Sequence, residues 1–118
     1  MTITKIINKS NNKLLADKVK IAGNFIDRLV GLLNRSDLSM GEGLLIVSCN
    51  SIHSFGMRFN FDAAFLDKNN KVVHVIKKMR AWRVSPIIFK AHSVLELPAG
   101  ALNEAEVKIG DYLEFIQN

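Results

Sequence analysis

Three sets of residues in this chain have the types that chemistry needs. The first is Arg58, Asp62 and Glu96. Glu96 lies within Val94-Leu95-Glu96-Leu97, an apolar run in which a carboxylate must be paired or exposed. Read as strand, the segment through Arg58 and Asp62 puts these two residues on one face, four positions apart. A guanidinium facing carboxylates makes charge-assisted, bidentate pairs. Such a cluster clamps an anion, or it fixes strand register as a structural ion pair; the second is the plainer expectation.

The second set is His53, His74 and His92. Three imidazoles with a carboxylate suffice chemically for zinc. Their spacing contains no HxH or HxxxH pair, so no metal is expected, and no cofactor. The third set is Lys77-Lys78-Met79-Arg80-Ala81-Trp82-Arg83, in which cations alternate with an aromatic. Single-stranded nucleic acid takes phosphate contacts and base stacking from such a stretch. No further nucleic-acid motif accompanies it. Trp82 near Pro86 and Phe89 reads better as a loop pinned on the core, or as the rim of a groove.

These residues must be placed by elements. Leu14–Ala22 has partial strand alternation. Phe25, Leu29, Leu32 and Leu33 form the stripe of an amphipathic helix over about 24–34, with Asn24 as its cap. Residues 34–43 read as a polar loop, and Leu44–Cys49 as a short buried strand. Ser51–Met57 reads as a further strand. Phe59, Phe61, Ala63 and Phe65 alternate with Asn60, Asp62, Ala64 and Leu66, again as a strand. Asp67-Lys68-Asn69-Asn70-Lys71 is a turn, so 61–80 is a β-hairpin. A loop through Trp82 leads to a strand over 91–97. Asn103 caps one helical turn, and Tyr112–Ile116 is the last strand. This pattern predicts a mostly β, compact antiparallel sandwich or barrel-like domain with one helix packed on it.

The chain has 118 residues, which suits one domain spanning 1–118. Its formal charge of +5 is unevenly spread: +4 over 1–20, −2 over 21–67, +7 over 68–90 and −4 over 91–118. The +7 segment contains no acid and would suit an anionic partner; pairing with the acidic C-terminal segment is the alternative. The single cysteine, Cys49, excludes an internal disulfide and reads as a small core residue. No apolar run approaches the ~18 residues that span a bilayer. The N-terminal residues lack a secretory pattern, so the cytoplasm is the expected location.

Several segments together resemble the DUF192 family. They are Arg28-Leu29-Val30-Gly31-Leu32-Leu33-Asn34-Arg35, Gly41-Glu42-Gly43-Leu44-Leu45-Ile46, His53-Ser54-Phe55-Gly56-Met57-Arg58-Phe59 and Asp62-Ala63-Ala64-Phe65-Leu66-Asp67. Trp82-Arg83-Val84-Ser85-Pro86, the stretch from Ala91 to Gly100, and Gly110-Asp111 complete the match. The resemblance implies a compact β-rich domain. It brings no established activity, substrate or cofactor, so no catalytic residue is carried over. Many members of that family carry an export segment, which this sequence does not show. Asn60 stands where many members have Pro, which leaves the backbone there less constrained.

The resulting expectation is a non-enzymatic domain that binds a small molecule, an anion or a partner. Its polar pocket would form where the 53–62 segment, the Trp82 loop and the Glu96 strand meet, with His53, Met57, Arg58, Asp62, Trp82, Arg83 and Glu96 as its residues. The alternative is an enzyme using Glu96 or Asp62 as acid/base with Arg58 as anion clamp. Weak nucleic-acid binding by the basic 68–90 face is a third, less favoured reading.

Overall fold

The computed structural model describes residues 3–23 and 37–117. The helix expected over 24–34 lies outside the described residues. Among the described residues, seven strands form one sheet: β1 (Ile3–Asn8), β2 (Lys13–Ala22), β3 (Gly41–Val47), β4 (Phe61–Leu66), β5 (Val72–Met79), β6 (Ser93–Pro98) and β7 (Leu113–Gln117). A short helix, α1 (Ala101–Glu104), follows β6. The strand order is β5-β4-β6-β3-β2-β1-β7. β2 and β3 are parallel and the other neighbours antiparallel. The mostly β expectation therefore holds. The sheet is not closed into a barrel, although its two edge strands approach at one end through the Lys71–Tyr112 bridge.

Each face of the sheet carries an apolar core. Leu15, Leu45, Ala64, Leu66, Leu95, Leu97, Leu102 and Leu113 belong to one. Leu44, Ile46, Phe61, Ala63, Phe65, Met79 and Val94 belong to the other. Alternate residues of β3, β4 and β6 feed the two cores, as strand pleating requires. Both faces are buried, so these strands read as continuous apolar runs.

Two long connections cover the second core. β3 and β4 both run antiparallel to β6, so they point the same way, and residues 48–60 must travel back along the whole strand. Residues 80–92, between β5 and β6, must do the same in the opposite sense. The two connections pair with each other as an irregular antiparallel ribbon. Its hydrogen bonds are Cys49 N–H to His92 O (3.1 Å), Ile88 N–H to Asn50 O (2.9 Å), Ser85 N–H to Ile52 O (2.8 Å) and Ser54 N–H to Arg83 O (2.9 Å). Ile52 and Met57 on the ribbon join the second core, and Cys49, Phe59 and Ile88 pack against it. The ribbon is thus a second layer, which gives the fold its sandwich-like character.

Several local expectations need correction. Ser51–Met57 is not a strand; within it only His53 forms a bridge, to Val84. The chain there is held by the facing connection, not by the sheet ladder. The polar loop ends earlier than the glycines suggested, because β3 begins at Gly41. Gly43 is a strand residue: a Cβ there would lie 3.1 Å from Ala16 Cβ. Asn103 does not cap the helical turn. α1 starts after Gly100, and the side chain that serves its N–H groups is that of Asp62. The hairpin over 61–80 forms as expected, with Asp67 Oδ1 accepting Asn69 N–H (2.8 Å) and Lys71 N–H (3.0 Å) across the turn.

Candidate functional site

The structure separates Arg58, Asp62 and Glu96. In the β4–β6 register Asp62 faces Leu97, and Ala63 faces Glu96. Leu97 belongs to the first core and Ala63 to the second. The two carboxylates therefore lie on opposite faces of the sheet, and they cannot act on one substrate. Arg58 is exposed in the connection before β4, not on a strand with Asp62, and makes no ion pair with it. The acid/base constellation with an Arg58 clamp is not assembled, and neither is a pocket containing all three.

Asp62 has a different task. It is fully buried. Its Oδ1 accepts Lys78 N–H at 2.9 Å, and its Oδ2 accepts Gly100 N–H at 3.1 Å and Leu102 N–H at 3.0 Å. Lys78 has φ of 54° at a register shift in the β4–β5 pair, where the ladder alone leaves its N–H unmet. One carboxylate thus fastens a bulge on β5 and the start of α1. Glu96 is also fully buried, between Leu44 of β3 and Ala63 of β4.

The remaining residues do meet in part. His53 is bridged to Val84, so the start of the central segment and the Trp82 loop lie side by side. The His53 and Phe55 rings are 4.9 Å apart, and Phe55 stacks on Trp82 at 5.8 Å with 26° between planes. Phe55 N–H donates to His53 Nδ1 at 3.1 Å, so the other ring nitrogen carries the proton when the imidazole is neutral. Trp82 has φ of 62°. A bulky residue in the left-handed region is a genuine outlier. It is held there by Trp82 N–H to Ser54 O (3.0 Å), and by Ser54 Oγ, which accepts Arg83 N–H (2.9 Å) and donates to Arg80 O. Met57 is buried in the second core, and Arg83 is exposed.

A cavity of about 510 Å³ opens beside this aromatic row. Among the described residues it is lined by Gly23, the continuous stretch from Ile46 to His53, and Val84. It lies at the carboxyl ends of β2 and β3, the parallel pair. Ser48, with φ of 53°, turns the chain out of β3 there. Cys49 Sγ donates to Ser51 O at 3.0 Å. Of the candidate site residues named from the sequence, only His53 is among the described lining residues; Cys49, which the sequence read as a core residue, also lines the cavity. In the sequence, residues 46–49 read as the end of a buried strand, which masks their place in a cavity wall. Their signal was the switch from Ile46-Val47 to Ser48-Cys49-Asn50-Ser51, four small or polar residues after an apolar run.

The three histidines are dispersed: His53 on the ribbon, His74 on β5 with its ring edge on Phe65, and His92 before β6. Among the described residues no three His, Cys, Asp or Glu side chains are grouped to hold a metal. The +7 segment is also divided. Lys68 and Lys71 sit at the β4–β5 turn, and Lys90 lies at that same end, two residues before His92, whose N–H meets Leu66 O at 2.7 Å; Lys77, Lys78, Arg80 and Arg83 lie at the other end of β5. Glu106 of the acidic C-terminal segment pairs with Lys13 of β2 (3.0 Å), not with these cations. No helix among the described residues is long and apolar enough to cross a membrane.

Comparison with known proteins agrees with the family resemblance. The family model of DUF192, an uncharacterized ACR family, matches residues 6–115. A UPF0127 protein of Pyrococcus abyssi is 34% identical, over 94% of this chain and 97% of the relative. A UPF0127 protein of Thermococcus sibiricus is 31% identical, over 93% of this chain and 73% of the relative. Two crystal structures share the fold. A protein of unknown function from Novosphingobium aromaticivorans superposes with a TM-score of 0.79 at 17% identity, over 94% of this chain and 82% of that one. A candidate transcription regulator from Sinorhizobium meliloti does so with 0.75 at 22%, over 94% and 90%. The separate motifs, the fold and the matched length agree, and this chain belongs to the DUF192 (UPF0127) family.

Proposed function

We propose that this protein is a non-enzymatic binding domain whose ligand is a small molecule held in the cavity beside His53. The observation that carries this reading is the cavity itself: about 510 Å³, with Ser48, Asn50, Ser51 and His53 set among Ile46, Val47, Ile52 and Val84. Small-molecule sites are concave and mostly apolar, with a few convergent polar groups that fix orientation. They also favour the carboxyl ends of parallel strands. Backbone and side-chain groups of Ser48, Asn50 and Ser51 supply donors and acceptors of both kinds, and His53 adds an imidazole that can donate and accept. The two buried carboxylates stand outside this cavity, which supports binding over acid/base catalysis.

The reading places the domain in the cytoplasm, where the one cysteine would remain a thiol. It is tested by thermal shift and by amide NMR shifts with a panel of organic anions, sugars and short peptides. A ligand should raise the melting temperature and shift resonances between Ile46 and His53. Ser51→Phe, which fills the cavity, should abolish both effects. A panel without hits, or shifts that survive Ser51→Phe, would sink the reading.

A further inference from the structure

We infer that the outer face of the ribbon docks on an anionic lipid surface. This goes beyond the cavity reading and does not rest on it. The ribbon displays Phe55, Trp82, Val84, Ile87 and Phe89 as exposed large apolar side chains. Trp82 is 65% exposed and Phe89 88%. Lone exposed apolar residues are ordinary, but five on one paired element are not. The same two connections, 48–60 and 80–92, carry Arg58, Arg80, Arg83 and Lys90 and no acidic residue. Lys77 and Lys78 at the end of β5 add two more cations.

The backbone gives a second, independent sign. Trp82 is kept at φ of 62° although its ring gains little burial. A left-handed backbone costs roughly 1–2 kcal/mol for a residue with a Cβ. Such strain persists only where the surroundings impose it, and it gathers at functional sites. Here the Ser54 hydroxyl and carbonyl impose it, and the result is an aromatic ring lifted outward on Phe55.

The chemistry selects the occupant. Two copies of this face would set cations against cations. A single nucleic-acid strand would use the rings and the cations but leaves Ile87 without purpose. Phe89 touches so little of its own protein that a protein partner would need a dedicated pocket for it. A lipid interface surrounds such a side chain without one. Trp and Phe settle at the headgroup level while Lys and Arg meet anionic headgroups, which is the composition of this ribbon.

Trp82 is the one tryptophan of the chain, so its fluorescence reports this surface directly. The intact protein is mixed with vesicles of phosphatidylglycerol and phosphatidylcholine, and with phosphatidylcholine alone. The expected result is co-sedimentation with the anionic vesicles, a blue shift of Trp82 emission, and release by high salt. Each cation removed, as in Arg83→Gln or Lys90→Gln, should weaken binding about fivefold. Phe89→Ser and Ile87→Ser, at exposed positions that leave the core intact, should weaken it further and independently of salt. No sedimentation with anionic vesicles at low salt overturns the inference. So does binding that Phe89→Ser and Ile87→Ser leave unchanged, which would be charge adsorption alone. A Trp82 shift produced by a single-stranded oligonucleotide or an acidic peptide, but not by the vesicles, overturns it in favour of that partner.

Discussion

Asp62 and Arg58 look like partners in the sequence and are strangers in the structure. The carboxylate satisfies three backbone N–H groups, of Lys78, Gly100 and Leu102, in a place no water reaches. Asp62→Asn presents an amide N–H₂ to donors that need an acceptor. Leaving a buried N–H unmet costs about 1–3 kcal/mol, so this variant should lose roughly 2–3 kcal/mol in urea unfolding. Arg58→Met, at an exposed position without an ion pair to Asp62, should stay within about 0.5 kcal/mol of the parent. Equal losses from both would restore the ion-pair reading and contradict the register of β4. The residue types were legible from the sequence, since a carboxylate inside an apolar strand has to be satisfied. Its partner was not, because Gly100 and Leu102 are distant in the chain and only the fold brings them near.

Among the elements, the β4–β5 hairpin was the most legible, because its turn chemistry is local: Asp67 bonds its own neighbours and Asn70 takes the left-handed backbone, φ 64°. The ribbon was the least legible. Its apolar residues Ile52, Phe55 and Met57 imitate a strand, yet the partner that orders them is residues 80–92, and pairing between distant segments leaves no local signature. β3 shows an intermediate case. Gly41 and Gly43 suggested a loop, but Gly43 is where β3 passes close to Ala16 of β2. A Cβ there would meet Ala16 Cβ at 3.1 Å, Leu97 Cδ2 at 3.4 Å and Leu95 Cδ1 at 3.5 Å. Ala16 Cβ sits rigidly on the backbone and cannot turn away. Gly43→Ala should therefore destabilise by about 1 kcal/mol, the low end for overpacking a core, since some unfolded-state entropy is recovered. The melting temperature should fall by about 4 °C. A rise would mean that β2 and β3 can separate to admit a methyl group.

At the scale of the whole molecule, the strand order places β1 between β2 and β7, so the first and last strands lie side by side at one edge of the sheet. Nothing in the sequence announced this, because the first residues lack clear alternation and β7 pairs with a strand more than a hundred positions away. A polar knot holds the arrangement. Asn8 Nδ2 donates to Ala105 O (3.2 Å) and to Asp111 Oδ2 (3.1 Å), Ser10 Oγ donates to Asp111 Oδ1 (3.0 Å), and Lys108 N–H donates to Asp111 Oδ2 (2.9 Å). Partial burial alone would raise the Asp111 carboxyl. The Lys108 N–H, the Asn8 and Ser10 side chains and the Lys108 charge outweigh it, and the group is held below its ordinary 3.8. A carboxyl depressed in the folded state stabilises it at every pH above the unfolded value, and that contribution fades as pH falls through the folded value. The knot is near solvent, so its ionic part is worth about 1 kcal/mol. Asp111→Asn should be less stable than the parent by that amount at neutral pH, and the gap should close on acidification below 3.8. Urea unfolding of both proteins across that range decides the matter. A gap that persists undiminished in acid would show that Asp111 joins the ends of the chain by shape and hydrogen bonding, with no part played by its charge.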